Sequence, residues 1–290
     1  MESWELSSIK AFLLSVEDRP FASHKDDFGF VKEAFEKNEI QILEVLSLPK
    51  VEKAFVVISG SDLVGLEEAI SKELSNIKKI VLFITSDECG DFDTEKIDHP
   101  DIKIWKQYPY EKHKKYFKMP IGAPMTMKKD IPEYSEKEET VFFAGQVTHQ
   151  RRSELYKAIK DLGIDNYLKT NGFMQGDHRS LYYKKMSMAK IVPAPAGNAS
   201  IDSFRFYEAI EMLAMPIGDI KSAVGDRFDI WKFIFNNHGP FPKTKNWNRL
   251  GVIVSEVLKE YPNNMHQVVA WWIRYKRDFS NIIMEQINEN

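Results

Sequence analysis

Apolar residues occur along this chain in two alternating patterns. Short continuous runs, AFVVI (Ala54–Ile58), KIVLFIT (Lys79–Thr85) and IKIW (Ile102–Trp105), are separated by stretches such as DLVGLEEAISKEL, where apolar positions recur every three or four residues. The alternation restarts with TVFFAG (Thr140–Gly145) before RRSELYKAIKDLG, then KIVPAP (Lys190–Pro195) before SFRFYEAIEML, and closes on MPIGDI (Met215–Ile220). Continuous apolar strands joined by amphipathic helices predict parallel sheets covered on both faces. Between the two series lies PIGAPMTMKKDIP (Pro120–Pro132), whose three prolines and one glycine read as a linker. The expected fold is α/β, with two Rossmann-like domains at residues 1–125 and 135–260. Residues 261–290 carry a long helix from about Asn263 to Ile287, with Val268, Val269, Trp272 and Tyr275 at helical spacing. That helix either packs on the second domain or crosses back to brace the first.

Composition narrows the class. With 290 residues and 43% hydrophobic content, two modest cores can be buried. The net charge of −3 gives no global attraction to nucleic acid or to acidic membranes. Cys89 is the single cysteine, so no disulfide forms within the chain, which fits a reducing compartment. The start, MESWELSSIKAFLL, lacks the basic segment of a signal peptide, and no run of about 18 apolar residues occurs. A cytoplasmic protein without a membrane span is expected, in the host cytoplasm if the source is viral.

Several chemistries have no motif here. There is no G-x-x-x-x-G-K-[ST] phosphate loop, no G-x-G-x-x-G, no zinc-spaced Cys/His cluster and no G-x-S-x-G elbow. In parallel α/β folds, ligands bind beyond the carboxyl ends of strands, at helix N-termini. Two junctions of that kind stand out. In FFAGQVTHQRRSELYKAI, Gly145 ends a strand, Thr148 or Ser153 could cap the helix, and Arg151 and Arg152 lie near its start. Cations at a helix N-terminus oppose the macrodipole, a conflict that a bound anion removes. Leu155, Ala158, Ile159 and Leu162 form the buried stripe, and Gly163 suits the C-cap. At the second junction, APAGNASID forms a loop containing Gly197 before a helix that begins near Ser203. Arg205 and Glu208 share the exposed face of that helix, opposite Phe206, Ala209, Ile210 and Leu213. They pair with each other as a surface salt bridge, or they meet a ligand: Arg205 a diphosphate, Glu208 the two hydroxyls of a ribose.

VFFAGQVTHQRRSELYKAI, APAGNASIDSFRFYEAIEMLAMPIGDI and NWNRLGVIVSEVL resemble the C-terminal half of exostosin-type glycosyltransferases, over about residues 140–265. Those proteins carry an F-x-G strand end, an arginine-bearing helix, a P-x-G loop, an S-x-R-x-x-E-A helix and a strand beginning with a small residue and proline. IKIWKQYP and MPIGAP are similar to the family's interdomain segment. Where the family has glycine and cysteine before the strand proline, this chain has Leu213, Ala214 and Met215. The resemblance implies a GT-B-like fold, two Rossmann-like domains facing across a cleft. It implies a nucleoside diphosphate sugar donor, a UDP-sugar, bound in the second domain by Gly145, Arg151, Arg152, Gly197, Ser203, Arg205 and Glu208. It also implies inversion at the anomeric carbon, with no bound metal and no cofactor required. The short chain is similar to small exostosin-like enzymes of bacteria and large DNA viruses, some of which decorate capsid glycans, with xylose among the sugars used.

An inverting transfer needs a base for the acceptor hydroxyl, expected from the first domain at a strand's carboxyl end. TSDECGDFD offers Asp87, Glu88 and Asp91; SHKDDFGF offers His24, Asp26 and Asp27; SGSD offers Asp62. Asp87 or Glu88 is favoured, directly after a strand. The acceptor is expected to be a glycan. From Asp101 to Asp130, eight lysines against three acids interleave with Tyr108, Tyr110, Tyr116 and Phe117. That stretch keeps open transfer to hydroxymethylated bases of phage DNA. A non-catalytic two-domain sugar binder is the other alternative.

Overall fold

The computed structural model describes residues 9–15, 21–109, 116–127, 137–170, 178–222, 230–236 and 239–289, and the side chains of 21–24 lie outside that set. Two compact units divide the chain: Met1–Thr126 with Tyr275–Asn290, and Met127–Arg274. The protein is α/β, each unit is built on one parallel sheet, and a long helix ends the chain.

In the first unit the strands are β1 (Lys10–Leu14), β2 (Ile42–Val45), β3 (Val51–Ser59), β4 (Ile77–Thr85), β5 (Ile102–Lys106) and β6 (Phe117–Lys118). They run parallel in the order β2-β1-β3-β4-β5-β6. Helices α1 (Gly29–Lys37) and α2 (Glu67–Leu74) connect them. Side chains alternate between the faces of a strand, and here both faces are covered. Val56, Ile58, Leu82 and Ile84 join one core with Ile70 and Leu74 of α2. Phe55 and Phe83 turn the other way, and their rings meet Phe35 of α1 at 5.1 and 5.5 Å. Burial on both sides is why β3 and β4 read as unbroken apolar runs. The short strands β2 and β6 carry too few buried residues to show such a run, whereas β1 carries one, Ala11–Leu14, that the sequence reading passed over.

The second unit repeats the plan. Its strands are β7 (Glu139–Gly145), β8 (Asn166–Thr170), β9 (Ala189–Ala194), β10 (Met215–Asp219) and β11 (Lys243–Thr244), parallel in the order β8-β7-β9-β10-β11. Around them lie α3 (Gln150–Lys160), α4 (Arg179–Ser187), α5 (Phe204–Glu211), α6 (Ile230–Phe235) and α7 (Leu250–Glu260). Gly163 has φ +61°, the left-handed turn expected after α3. Leu213, between α5 and β10, has φ +56°. A side chain in that region costs roughly 1–2 kcal/mol.

Helix α8 (Asn263–Asn288) contributes to both units. Its first half buries Met265, Val268 and Trp272 in the second, and Trp272 Nε1 donates to Glu211 (2.8 Å). Its last half buries Phe279, Ile283 and Ile287 in the first. There Phe279 lies 4.7 Å from Phe30 and 5.0 Å from Trp105, ring to ring. Asn38 donates to Ser280 (2.7 Å), and Trp105 Nε1 donates to Gln286 (2.8 Å). Of the lysine-rich stretch, residues 110–115 and 128–130 lie outside the described set.

If the helix end is core, Phe279→Ala should lower stability by about 3–5 kcal/mol. Urea unfolding measures this; a loss below about 1 kcal/mol would show that the helix end only rests on the surface.

Candidate functional site

In the second sheet β7 and β9 are neighbours, and the chain leaves them in opposite directions, to β8 and to β10. Such a switch point opens a crevice at the carboxyl edge. Helices α3 and α5 both begin there. Their N-cap residues, His149 and Ser203, have extended backbones, and neither side chain caps its helix. Thr148, an expected cap of α3, instead donates across the loops to Asn198 (3.1 Å), and Ser153 donates weakly back to the His149 carbonyl (3.4 Å). Gly197 N donates to the Ser200 carbonyl (2.7 Å) and tightens the loop before α5.

Arg205 joins the two junctions that the sequence singles out. From the first turn of α5 its Nη2 donates to the Ala144 carbonyl (2.7 Å), and its guanidinium lies 4.8 Å from the centre of the Phe143 ring. The group passes directly over Gly145, where a Cβ would stand 2.6 Å from Nη2. Glycine is needed at this strand end because any side chain would displace the arginine.

Glu208 corrects the sequence reading. Helical spacing places it on the exposed face beside Arg205, but the structure buries it. Its carboxylate accepts from Tyr182 (3.1 Å) and Tyr183 (2.9 Å), both on α4. The surface salt bridge that the spacing permits is not formed, since Arg205 turns to the Ala144 carbonyl. Burial raises the Glu208 carboxyl above its ordinary value, while the Arg205 charge and the two hydroxyls act against that rise.

Arg151 is also corrected. As an anion ligand it would need unmatched charge. Instead it is buried, donating to Asp219 through Nε (3.1 Å) and Nη2 (2.6 Å), and to Glu154 (2.5 Å). Arg152 donates to the Gln146 carbonyl (3.2 Å). Asp219, which the sequence reading passed over, also accepts from Ala196 N (3.3 Å), Lys221 N (3.1 Å) and Trp247 Nε1 (3.2 Å). Its sequence signal was an acid closing an apolar strand.

His149 was missed as well. Its Nε2 lies 3.1 Å from the Ala196 carbonyl, so that nitrogen carries the proton. Burial, and then the Arg152 charge, hold its pKa below the ordinary histidine value, which leaves Nδ1 a bare acceptor. Three buried polar atoms find no hydrogen-bond partner among the described residues at this edge: His149 Nδ1, Ser203 Oγ and Arg205 Nε. A polar cavity of about 510 Å³ is lined by Arg151, Glu154, Lys221, Lys245, Asn246 and Asn248, and does not include them. Among the described residues no group of three or more His, Cys, Asp or Glu side chains could hold a metal ion.

In the first unit one of the two favoured bases, Asp87, is already paired. Asp87 is 1% exposed and paired with the fully buried Lys106. It also accepts from Asp91 N (2.9 Å) and Phe92 N (3.3 Å), so it holds its own loop and meets no external hydroxyl. Glu88 and Asp62 are half-buried; Asp26 accepts from Thr126 N (3.1 Å). The His24 side chain lies outside the described residues. Asp27 is half-buried, and accepts from Ser86 (2.8 Å) and Tyr108 (3.0 Å).

The raised Glu208 carboxyl makes a pH prediction. In the native state its ionised form is disfavoured, so wild-type stability falls as pH rises through the folded value. Glu208→Gln lacks that penalty. Its stability relative to wild type should increase as the pH rises above about 4, read as the urea midpoint. A constant difference would show that Glu208 does not titrate as a buried acid.

No protein-family model matches the chain, and no curated protein matches it. Among solved structures, the pneumococcal O-GlcNAc transferase GtfA, in complex with UDP and GlcNAc, is similar, with a TM-score of 0.44 and 10% sequence identity. The similarity covers 89% of this chain and 60% of that one, so this chain spans about three-fifths of that transferase's length.

Proposed function

We propose that the second unit binds a nucleoside diphosphate sugar, a UDP-sugar, at the carboxyl edge of β7 and β9. The chain then acts as an inverting, exostosin-like glycosyltransferase on a glycan hydroxyl, with the first unit on the acceptor side. The observation that carries this reading is the set of three buried, unpartnered polar atoms around the N-termini of α3 and α5. Each such atom costs about 1–3 kcal/mol until it finds a partner. A diphosphate supplies acceptors for Arg205 Nε and Ser203 Oγ. His149 Nδ1 can only accept, so its partner is a donor, such as a sugar hydroxyl. Glu208, pinned by two tyrosines, is oriented to accept the ribose hydroxyls. Charge that grows on the leaving diphosphate is met by Arg205 and by the helix amides, so the proposal needs no metal.

The sequence resemblance supports the same assignment residue by residue, at Gly145, Gly197, Ser203, Arg205 and Glu208. Transfer to DNA rested on the lysine-rich stretch, much of which lies outside the described residues, and the negative net charge disfavours it. A sugar binder without chemistry would hold the nucleotide sugar and leave it intact.

Titration calorimetry with UDP and UDP-sugars, beside a UDP-release assay, tests the proposal. Glu208→Gln should weaken UDP binding by roughly 10- to 150-fold. Arg205→Ala should act mainly on turnover, because the interaction strengthens in the transition state. Unchanged affinity in the first variant together with normal turnover in the second would overturn it.

A further inference from the structure

One group at the carboxyl edge of the second sheet is satisfied neither by the surrounding residues nor by a phosphate. His149 Nε2 donates to the Ala196 carbonyl (3.1 Å), in the loop before α5. Its other ring nitrogen, Nδ1, is buried and has no hydrogen-bond partner among the described residues. An N-cap side chain ordinarily accepts from the amides of the first turn, but His149 does not, so its own helix leaves Nδ1 unused. Burial and the charges of Arg152 and Arg151 on α3 keep the ring neutral, against the opposing pull of the Ala196 carbonyl and of Asp219 on β10. A neutral imidazole that donates at one nitrogen can only accept at the other. The ring is also held in place. The His149 carbonyl accepts from Arg152 N and Ser153 N (both 3.1 Å), and Nε2 is tied to the neighbouring loop. Nδ1 is therefore a preorganised acceptor, which meets only a donor that arrives at its own position.

A nucleoside diphosphate sugar carries donors in three places: the N–H of the base, the hydroxyls of the ribose and the hydroxyls of the sugar. The diphosphate has none. Under the donor-binding proposal the ribose meets Glu208 on α5. Arg205, one turn earlier on that helix, reaches the Ala144 carbonyl and lies over Gly145. His149 stands beyond Gly145, at the start of α3. The order Glu208, Arg205, His149 then matches ribose, diphosphate and the group past the diphosphate, which is the sugar to be transferred.

We propose that His149 Nδ1 accepts a hydrogen bond from one hydroxyl of the transferred sugar and so selects which UDP-sugar the chain uses. This rests on the donor-binding reading and makes His149 a specificity-determining residue, acting within the second unit alone. A site built to bond a hydroxyl rejects the analogue that lacks it, because its buried polar group is then left unpaired. UDP itself offers no sugar hydroxyl, so its binding does not call on Nδ1.

A cycle of one side chain against one hydroxyl tests this. UDP-glucose, UDP-galactose, UDP-N-acetylglucosamine and UDP-xylose are screened by UDP release, and the best is compared with its monodeoxy analogues. In wild type, one analogue should lose roughly 5- to 150-fold in kcat/KM. His149→Phe, which keeps a ring and deletes both nitrogens, should lose a similar factor on the full sugar and nothing further on that analogue. Its UDP affinity, read by titration calorimetry, should equal that of wild type. His149→Asn, whose Oδ1 can accept close to the place of Nδ1, should regain most of the loss. A His149→Phe variant that still rejects the analogue as wild type does overturns the assignment and leaves the transferase standing. So does a fall in UDP affinity as large as the fall in kcat/KM, or a His149→Asn variant no better than His149→Phe, which would place the effect in the bond to Ala196. Wild type that rejects no monodeoxy analogue overturns it without any variant. A wild-type chain that binds no UDP and turns over no UDP-sugar overturns the donor-binding reading and the role of His149 with it.

Discussion

The carboxylate of Asp219 has to be satisfied without water, and the candidate site is arranged around that requirement. An ionised acid in a low-dielectric interior is tolerated only when it is paired and hydrogen-bonded. Asp219 is fully buried at the end of β10, and its donors come from four places: Arg151 on α3, the amides of Ala196 and Lys221, and the Trp247 indole. Its carbonyl accepts from Trp231 (2.7 Å). The first turn of α3 and the loop after β9 are thereby tied to one point, and those segments border the crevice between β7 and β9. Because the pair neutralises Arg151, the cation left beside that crevice on α5 is Arg205, lying over Gly145.

The first unit solves a similar problem in the corresponding place. Both sheets share the order 2-1-3-4-5, so β4 corresponds to β10. Strand β10 ends on Asp219, and Asp87 follows β4 by two residues. Each aspartate is buried against a cation, Arg151 from a helix in one unit and Lys106 from the adjacent strand in the other. Breaking such a pair by removing one partner is costly, of the order of 3–5 kcal/mol, so these acids stabilise the strand ends and are unavailable for chemistry. The groups proposed here for diphosphate and ribose binding lie one step to the side, on α5.

What the sequence disclosed and what it withheld differ in a definite way. The apolar runs Ala54–Ile58 and Lys79–Thr85 exposed β3 and β4 because burial on both faces removes polar alternation. Gly145, Gly163 and the place of Arg205 were legible because each expresses a local rule of strand ends and helix caps. Asp87 was misread because its partner Lys106 stands 19 residues away on another strand, and only the parallel register brings them together. Glu208 was misread because helical spacing says which side a residue faces but not what covers it. Here α4 supplies two tyrosine hydroxyls.

The account stands on the crevice between β7 and β9 being where a nucleoside diphosphate binds. Hydrogen–deuterium exchange with and without UDP reads this amide by amide, since a ligand that orders a loop slows exchange in it. The account predicts slowed exchange in Gln146–Arg152 and Ala196–Phe206, the loops and first turns of α3 and α5. Slowing confined to other segments, or none at saturating UDP, would contradict it.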